Sequence, residues 1–133
     1  MSQEIFEKGL VVRGEVLGAE YVKKSMGNTD DLTRPLQELV TEYCWGRVWS
    51  RPELARKTRS LVNVALLTAL NRPIELKLHV GGALRNGCSP EEIMEVLLQC
   101  AIYCGVPAAA DGTRTAREAI KEFNVARDGA GRG

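Results

Sequence analysis

The only histidine of the sequence, His79, stands four residues after a glutamate, Glu75. If this stretch is helical, residues four apart share one face, and Gly82 follows on that face one turn later. Apolar residues flank this polar stripe on both sides, which is the pattern of a helix that lines a partly buried cleft. The stripe therefore predicts a site around His79 and Glu75, although a surface pair or a hydrogen-bonded structural histidine has the same spacing.

Two adjacent glycines, Gly81 and Gly82, interrupt the same predicted helix. Glycine weakens a helix interior by about 1 kcal/mol relative to alanine. The pair therefore predicts that another group approaches the backbone closely at this point.

Four arginines, Arg47, Arg51, Arg56 and Arg59, lie close together in the sequence. The planar guanidinium group can bind a carboxylate through two hydrogen bonds. Most of these side chains are expected to be solvated or to form ion pairs between subunits, but one or two could hold an anionic ligand.

The composition predicts a soluble globular protein with a single domain from residue 1 to about residue 125. The 133 residues are 44% hydrophobic and 26% charged, which is typical of globular domains. Residues 126–133 contain no large apolar side chain and are expected to form a flexible C-terminal tail.

A net charge of +1 and an aromatic content of 5% argue against nucleic-acid binding. The N-terminal residues lack the pattern of a signal peptide, and the longest mostly apolar run, around residues 61–70, is too short to cross a membrane. The 4 cysteines include no CxxC pair and lack the spacing of zinc ligands. We therefore expect a cytoplasmic protein with reduced cysteines and no bound metal.

Apolar residues recur at helical spacing along most of the chain, and no useful period-two alternation occurs. Residues 19–31 are expected to be a connection. Helices are predicted over residues 3–17, 32–48, 73–85, 90–104 and 107–123, and one more is predicted from residue 52 or 56 to residue 70. Gly18, Gly87 and Gly105 are expected to terminate helices, and Ser89 is expected to begin one as part of a capping box. The sequence thus predicts an all-α fold of about six helices.

Two of the predicted helices carry further expectations. The helix over residues 56–70 is apolar on nearly every side, so it is expected to be central and buried all round. In the helix before it, Trp45 and Trp49 share a face, which predicts a packing surface such as a subunit interface, or else a wall of a ligand cleft. With the glycine-rich face and the small size of the chain, these features predict a homo-oligomer.

Several segments carry a resemblance to a known family. The main ones are residues 75–87 (ELKLHVGGALRNG), 89–99 (SPEEIMEVLLQ) and 101–109 (AIYCGVPAA). Residues 13–18, 37–49 and 58–61 match as well, so the resemblance covers nearly the whole chain. On these segments the sequence resembles the carboxymuconolactone decarboxylase family.

The resemblance implies an AhpD-like helical fold, assembled as a homohexamer or homotrimer. It also implies decarboxylation of 4-carboxymuconolactone to the 3-oxoadipate enol-lactone without a cofactor, in the protocatechuate branch of the beta-ketoadipate pathway. AhpD relatives have a CxxC before the family histidine, where this chain has Arg72 and Glu75. A thiol peroxidase role is therefore not expected.

The implied substrate is a small dicarboxylate lactone, whose conjugated ring can accept the electron pair that departing CO2 leaves behind. His79 is then the expected proton donor or oxyanion partner, because an ordinary histidine pKa of about 6.5 allows a change of charge near neutral pH. Glu75 is expected to orient His79 or to bias its protonation. Carboxylate binding is expected first from Arg59 and then from Arg56 or Arg51, and the apolar wall from Trp45, Trp49 and Tyr103.

One departure from the family pattern concerns Arg114. Family members commonly have a second histidine at about this place. Arg114 either replaces that histidine as an anion binder or marks a different substrate. Two alternatives therefore stay open, namely a related AhpD-like protein that acts on a different small carboxylate and a non-catalytic oligomeric binding protein.

Overall fold

The computed structural model describes residues 2–130, and its regular structure is entirely helical within that range. A π-helical segment, Val40–Val48, continues directly from α3, and Trp49 N donates to the Cys44 carbonyl oxygen at 2.9 Å, the five-residue spacing of a π-helix. The all-α prediction is confirmed. The α-helices are α1 (Gln3–Leu17), α2 (Ala19–Gly27), α3 (Arg34–Leu39), α4 (Arg56–Ala69), α5 (Pro73–Arg85), α6 (Pro90–Tyr103) and α7 (Val106–Ala130).

The predicted signals for helix ends are confirmed. Gly18, Gly87 and Gly105 have φ angles of 96°, 91° and 102°, and this left-handed region favours glycine where a helix stops. At the start of α6 the Glu92 amide donates to Ser89 Oγ at 3.0 Å, and the Ser89 amide donates to Glu92 Oε1 at 2.9 Å. This is the reciprocal capping box that the sequence predicts.

The prediction of a connection over residues 19–31 is wrong in its first part, because α2 occupies Ala19–Gly27. Val22 is the one buried residue of α2, so the helix buries too narrow an apolar face to produce a clear periodic pattern. At the other end of the chain, α7 extends to Ala130 and so includes the first part of the expected C-terminal tail. The rest of that tail, residues 131–133, lies outside the described residues.

The described chain divides into two compact units, residues 2–56 and 57–130. In the first unit, α1 packs closely against the π-helical segment because glycines let the two backbones approach. An added Cβ at Gly46 would lie 2.5 Å from the Ile5 carbonyl oxygen, and one at Gly9 would overlap the Thr41 carbonyl oxygen. The buried Arg13 of α1 also donates to Gln37 Oε1 at 3.0 Å and to Thr41 Oγ1 at 3.2 Å.

In the second unit, α5 packs against α7 and, less extensively, against α6. The side chains at their contacts form one apolar core, to which α4 contributes Val64. At Gly112 of α7 an added Cβ would lie 3.0 Å from side-chain atoms of Leu97 and Thr68, so this glycine also permits close packing. The buried members of the core are Val64, Leu76, Val80, Ala83, Cys88, Ile93, Leu97, Ala116 and Ala119.

The prediction that the helix over residues 56–70 is buried all round is wrong. In α4 only Ser60, Val64 and Thr68 are buried, whereas Val62, Leu66 and Leu70 are 44%, 52% and 63% exposed. Val62 and Leu66 lie one turn apart on α4, and Leu70 follows directly after its last residue, so the three form one apolar line. None of the described helices is long and apolar enough to span a membrane.

The contact between α1 and the π-helical segment predicts opposite effects for two substitutions in α1. Gly9→Ala should lower the free energy of unfolding of the first unit by more than about 2 kcal/mol, because the added methyl group overlaps backbone atoms that cannot move aside easily. Gly14→Ala is the matched control, since its Cβ would have no neighbour closer than 3.9 Å and alanine favours the helix by about 1 kcal/mol.

Urea unfolding followed by tryptophan fluorescence measures both variants, because Trp45 and Trp49 are the only 2 tryptophans and both lie in the first unit. Equal midpoints for the two variants would contradict the predicted backbone contact.

Candidate functional site

His79 and Glu75 lie one turn apart on α5, as their spacing predicts. Leu76 and Val80 of the same helix are buried in the apolar core, and this packing fixes the rotation of α5 about its axis. His79 is consequently partly buried, whereas the Glu75 side chain is exposed. The core thus holds the imidazole at the edge of the second unit with the carboxylate on its solvent side.

A further polar residue, Asn63 of α4, contacts His79 and was not identified from the sequence. Asn63 Nδ2 lies 3.4 Å from His79 Nδ1. The sequence contains one signal that could have revealed it, since Asn63 is the only side-chain amide within the apolar run of residues 61–70. An amide is costly to bury without a partner, so its presence there indicates a specific contact.

Burial lowers the pKa of His79 to about 4, and the negative charge of Glu75 opposes this shift. Desolvation dominates because the imidazolium loses its hydration in the partly buried position, while the exposed carboxylate attracts it only through solvent. In the free protein the imidazole is therefore neutral at pH 7, rather than close to its titration midpoint.

The arginines predicted to bind carboxylates occupy different environments. Arg56 Nη1 pairs with Glu15 Oε2 at 2.7 Å, and Arg51 Nη2 lies 3.7 Å from Glu53 Oε2. Both of these cations therefore already have a carboxylate partner in the first unit. Arg59 is partly buried on α4 in the second unit, four residues before Asn63, and so shares the face of α4 that carries the contact to His79.

The two predicted wall residues of the first unit, Trp45 and Trp49, pack on each other. They are 3% and 5% exposed, and their ring centroids are 4.9 Å apart in a stacked arrangement. Both side chains are thus buried within the chain itself.

Tyr103, the third predicted wall residue, is 82% exposed at the end of α6. It borders an apolar cavity of about 350 Å³ between α4 and α6, together with Leu61, Val62, Val96, Cys100 and Cys104. His79 and Glu75 are not among the residues that line this cavity.

Arg114 lies on the surface of α7 and forms an ion pair with Asp111, one turn earlier. Its side chain is 71% exposed. At Gly81 of α5, an added Cβ would lie 3.2 Å from Arg85 Nη1, so the guanidinium of Arg85 folds back over this glycine. The group that approaches the backbone there is a side chain of the same helix.

Comparisons with known proteins agree on one family. The sequence profile of the carboxymuconolactone decarboxylase family matches residues 34–118. The chain is 40% identical over 124 residues to a 4-carboxymuconolactone decarboxylase of Acinetobacter baylyi, covering 93% of this chain and 92% of the relative. It is 41% identical over 123 residues to the nitrosuccinic acid decarboxylase npaB of Metarhizium robertsii, covering 92% of this chain and 86% of the relative.

The low pKa of His79 predicts a loss of stability in mild acid. Above about pH 6.5 the imidazole is neutral in both the folded and the unfolded chain, and it contributes nothing to the pH dependence. Between that pH and the folded-state pKa of about 4, the unfolded chain binds a proton that the folded chain does not. The free energy of unfolding should therefore fall as the pH falls, by at most about 3 kcal/mol from this group.

His79→Gln tests this contribution, because glutamine is polar but does not titrate. Relative to the natural chain, the variant should become progressively more stable as the pH is lowered from 7 to 4.5 in urea unfolding experiments. A stability difference that does not change with pH would show that the imidazole titrates normally in the folded chain.

Proposed function

Because this chain belongs to the carboxymuconolactone decarboxylase family, we propose that it converts 4-carboxymuconolactone to the 3-oxoadipate enol-lactone and CO2 in protocatechuate catabolism. The chain is a carboxy-lyase. The similarity to the Acinetobacter enzyme along nearly its whole length is the observation that carries this choice of substrate.

The reaction places three demands on the protein. The carbon–carbon bond to the departing carboxylate breaks, CO2 leaves, and the electron pair moves into the conjugated lactone as a dienolate. The site has to hold the substrate carboxylates, stabilise the developing oxyanion and deliver a proton to carbon. Because the substrate itself accepts the electron pair, the chemistry requires neither a metal ion nor pyridoxal phosphate.

His79 supplies the oxyanion partner in this proposal. Its pKa of about 4 keeps the imidazole neutral in the free protein at pH 7, and a neutral imidazole can still donate one hydrogen bond. Binding of a dianion beside it favours protonation, so the same ring is the candidate source of the proton that carbon receives. Glu75, one turn earlier, supports that protonated form because its negative charge raises the pKa of His79.

Arg59 is the first candidate for binding a substrate carboxylate. It is partly buried, and it lies one turn from Asn63 on the face of α4 that contacts His79. Arg51 and Arg56 lie in the first unit, where each pairs with a glutamate. Arg114 is the weakest, since its exposed guanidinium pairs with Asp111.

A second candidate substrate is nitrosuccinic acid, because the relative named for its decarboxylation is as similar to this chain as the lactone decarboxylase is. The two substrates share a chemical requirement. Each has two carboxylates, and in each an electron-accepting group can take up the electron pair left by CO2, as a dienolate in one case and a nitronate in the other. The same basic residues and His79 therefore suit both.

The decarboxylase proposal predicts that the purified protein releases CO2 from 4-carboxymuconolactone. His79→Ala should reduce kcat/KM by at least about 100-fold, the size of a general acid–base contribution. Lys77→Ala is a matched control on the same helix, because Lys77 forms surface ion pairs with Glu118 and Glu122 of α7. This control should keep its activity.

The pH dependence of kcat/KM separates the possible roles of His79. If the neutral imidazole is the form that binds substrate productively, kcat/KM should be constant above about pH 5 and fall only near the pKa of about 4. If kcat/KM instead fell tenfold for each pH unit between pH 4 and pH 7, the reaction would require the imidazolium. A third outcome would favour a binding protein. In that case the folded chain would turn over neither the lactone nor nitrosuccinate, and His79→Ala would bind the ligand as well as the natural chain does.

We further propose that the chain self-associates through the apolar surface formed by α4 and α6, as a homohexamer or homotrimer. Val62 and Leu66 of α4 and Leu70, which follows the last residue of that helix, are exposed. Leu98 and Ile102 of α6 are also exposed, at 62% and 80%. A monomer rarely exposes more than a few hundred Å² of contiguous apolar surface, and a specific interface takes about 800 Å² from each partner. A second copy is the occupant that this uncharged surface fits.

Leu66→Lys tests the proposed interface, because a charge on the central residue of the α4 line would have to be desolvated on association. The variant should sediment as a smaller species than the natural chain in analytical ultracentrifugation. Val125→Lys is the control, since Val125 is also exposed, at 65%, but lies on α7. A natural chain that stays monomeric at micromolar concentration would refute this part of the proposal.

A further inference from the structure

The contact between Asn63 and His79 defines which ring nitrogen of the histidine carries its proton. Asn63 Nδ2 faces His79 Nδ1 at 3.4 Å. An amide nitrogen only donates hydrogen bonds, so Nδ1 has to be the unprotonated nitrogen that accepts. The proton of the neutral imidazole is then on Nε2, at the opposite side of the ring.

We propose that Asn63 is a positioning residue that selects the Nε2–H tautomer of His79 and directs that N–H toward the reacting substrate. The assignment of the tautomer stands on the contact alone. The consequence for catalysis rests on the proposed decarboxylase function, for which a hydrogen-bond donor to the developing oxyanion is required.

The chemistry of the amide explains why this partner differs from a carboxylate. A carboxylate at Nδ1 would accept from Nδ1–H, and it would stabilise the imidazolium. The Asn63 amide does the reverse, because protonation of Nδ1 would place two donors opposite each other. The amide thus acts in the same direction as burial, which lowers the pKa of His79, and against Glu75, whose charge raises it.

The location of Asn63 makes it suitable for this role. It is partly buried on α4, and the Asn86 side chain donates to Ser60 Oγ of α4 at 2.9 Å. Two side-chain contacts, Asn63 with His79 and Asn86 with Ser60, therefore join α4 to α5 and to the residue that ends it. Together they fix the position of the amide along the histidine-bearing helix.

The tautomer can be measured directly because the sequence contains only 1 histidine. In the natural chain labelled with ¹⁵N-histidine, long-range ¹H–¹⁵N correlation spectra show a single imidazole ring and distinguish Nε2–H from Nδ1–H. The proposal expects the Nε2–H form at pH 7. A ring protonated at Nδ1 in the natural chain would overturn it.

Two variants test whether Asn63 causes this preference. Asn63→Leu removes the donor while keeping the number of side-chain non-hydrogen atoms, and it should give a mixture of tautomers. Asn63→Asp offers an acceptor, so it should move the proton to Nδ1 and raise the titration midpoint of His79 by at least about one pH unit. Ala126→Glu, at an exposed position of α7, controls for the added negative charge and should leave the ring spectrum unchanged. A spectrum of Asn63→Leu identical to that of the natural chain would overturn the proposal, and the Asp variant answers the question if the Leu variant does not fold.

Kinetic measurements test the proposed catalytic role of Asn63 separately from the tautomer. With the substrate that the natural chain turns over, Asn63→Asp should lose at least about tenfold in kcat with a smaller change in KM, since a wrong tautomer presents a lone pair in place of a proton. An unchanged kcat together with the expected tautomer shift would overturn the positioning role. If the natural chain decarboxylates neither candidate substrate, the decarboxylase proposal and this catalytic role fail, while the spectra still decide the tautomer.

Discussion

Removal of the His79 imidazole from water is the constraint on which the chemistry of the second unit depends. The ring sits on a helix whose neighbouring residues Leu76 and Val80 are buried in the apolar core, so it cannot turn out to solvent without disrupting that packing. Burial lowers its pKa to about 4 and makes the neutral form the resting state. An anion that binds beside the ring then changes the pKa of His79 strongly, because charges interact more strongly with a group that is shielded from water.

The same constraint explains why the two polar neighbours of His79 affect the ring in different ways. Glu75 is exposed, and its attraction for a proton on the ring is weakened by solvent. Asn63 is partly buried and contacts the ring directly. Its effect on His79 depends on the direction of the hydrogen bond between them, because the amide has no net charge. A carboxylate in the place of Asn63 would accept a hydrogen bond from Nδ1–H and stabilise the imidazolium, so Nε2 would no longer be the nitrogen that carries the proton of the neutral ring.

Much of the fold follows from local signals in the sequence. Glycines with positive φ at 18, 87 and 105 and the capping box at Ser89 mark helix ends because they depend on nearby backbone geometry alone. The pairing of Glu75 with His79 on one helical face follows from spacing for the same reason. The short helix α2 was not predicted because its one buried residue, Val22, leaves no periodic pattern. The π-helical segment was predicted only as helix, because its hydrogen-bond spacing of five residues is close to the four of an α-helix.

The features that the sequence did not predict are those that depend on contacts between helices. The contact of Asn63 with His79 joins residues 16 positions apart, and the lowered pKa of His79 results from the core that surrounds α5 rather than from its own helix. The exposure of Val62, Leu66 and Leu70 also depends on contacts between helices. A helix that is apolar on every side can bury its faces against its own chain or against another copy, and the sequence does not say which. Sequence periodicity identifies an apolar face, but the partner of that face is set by tertiary and quaternary packing.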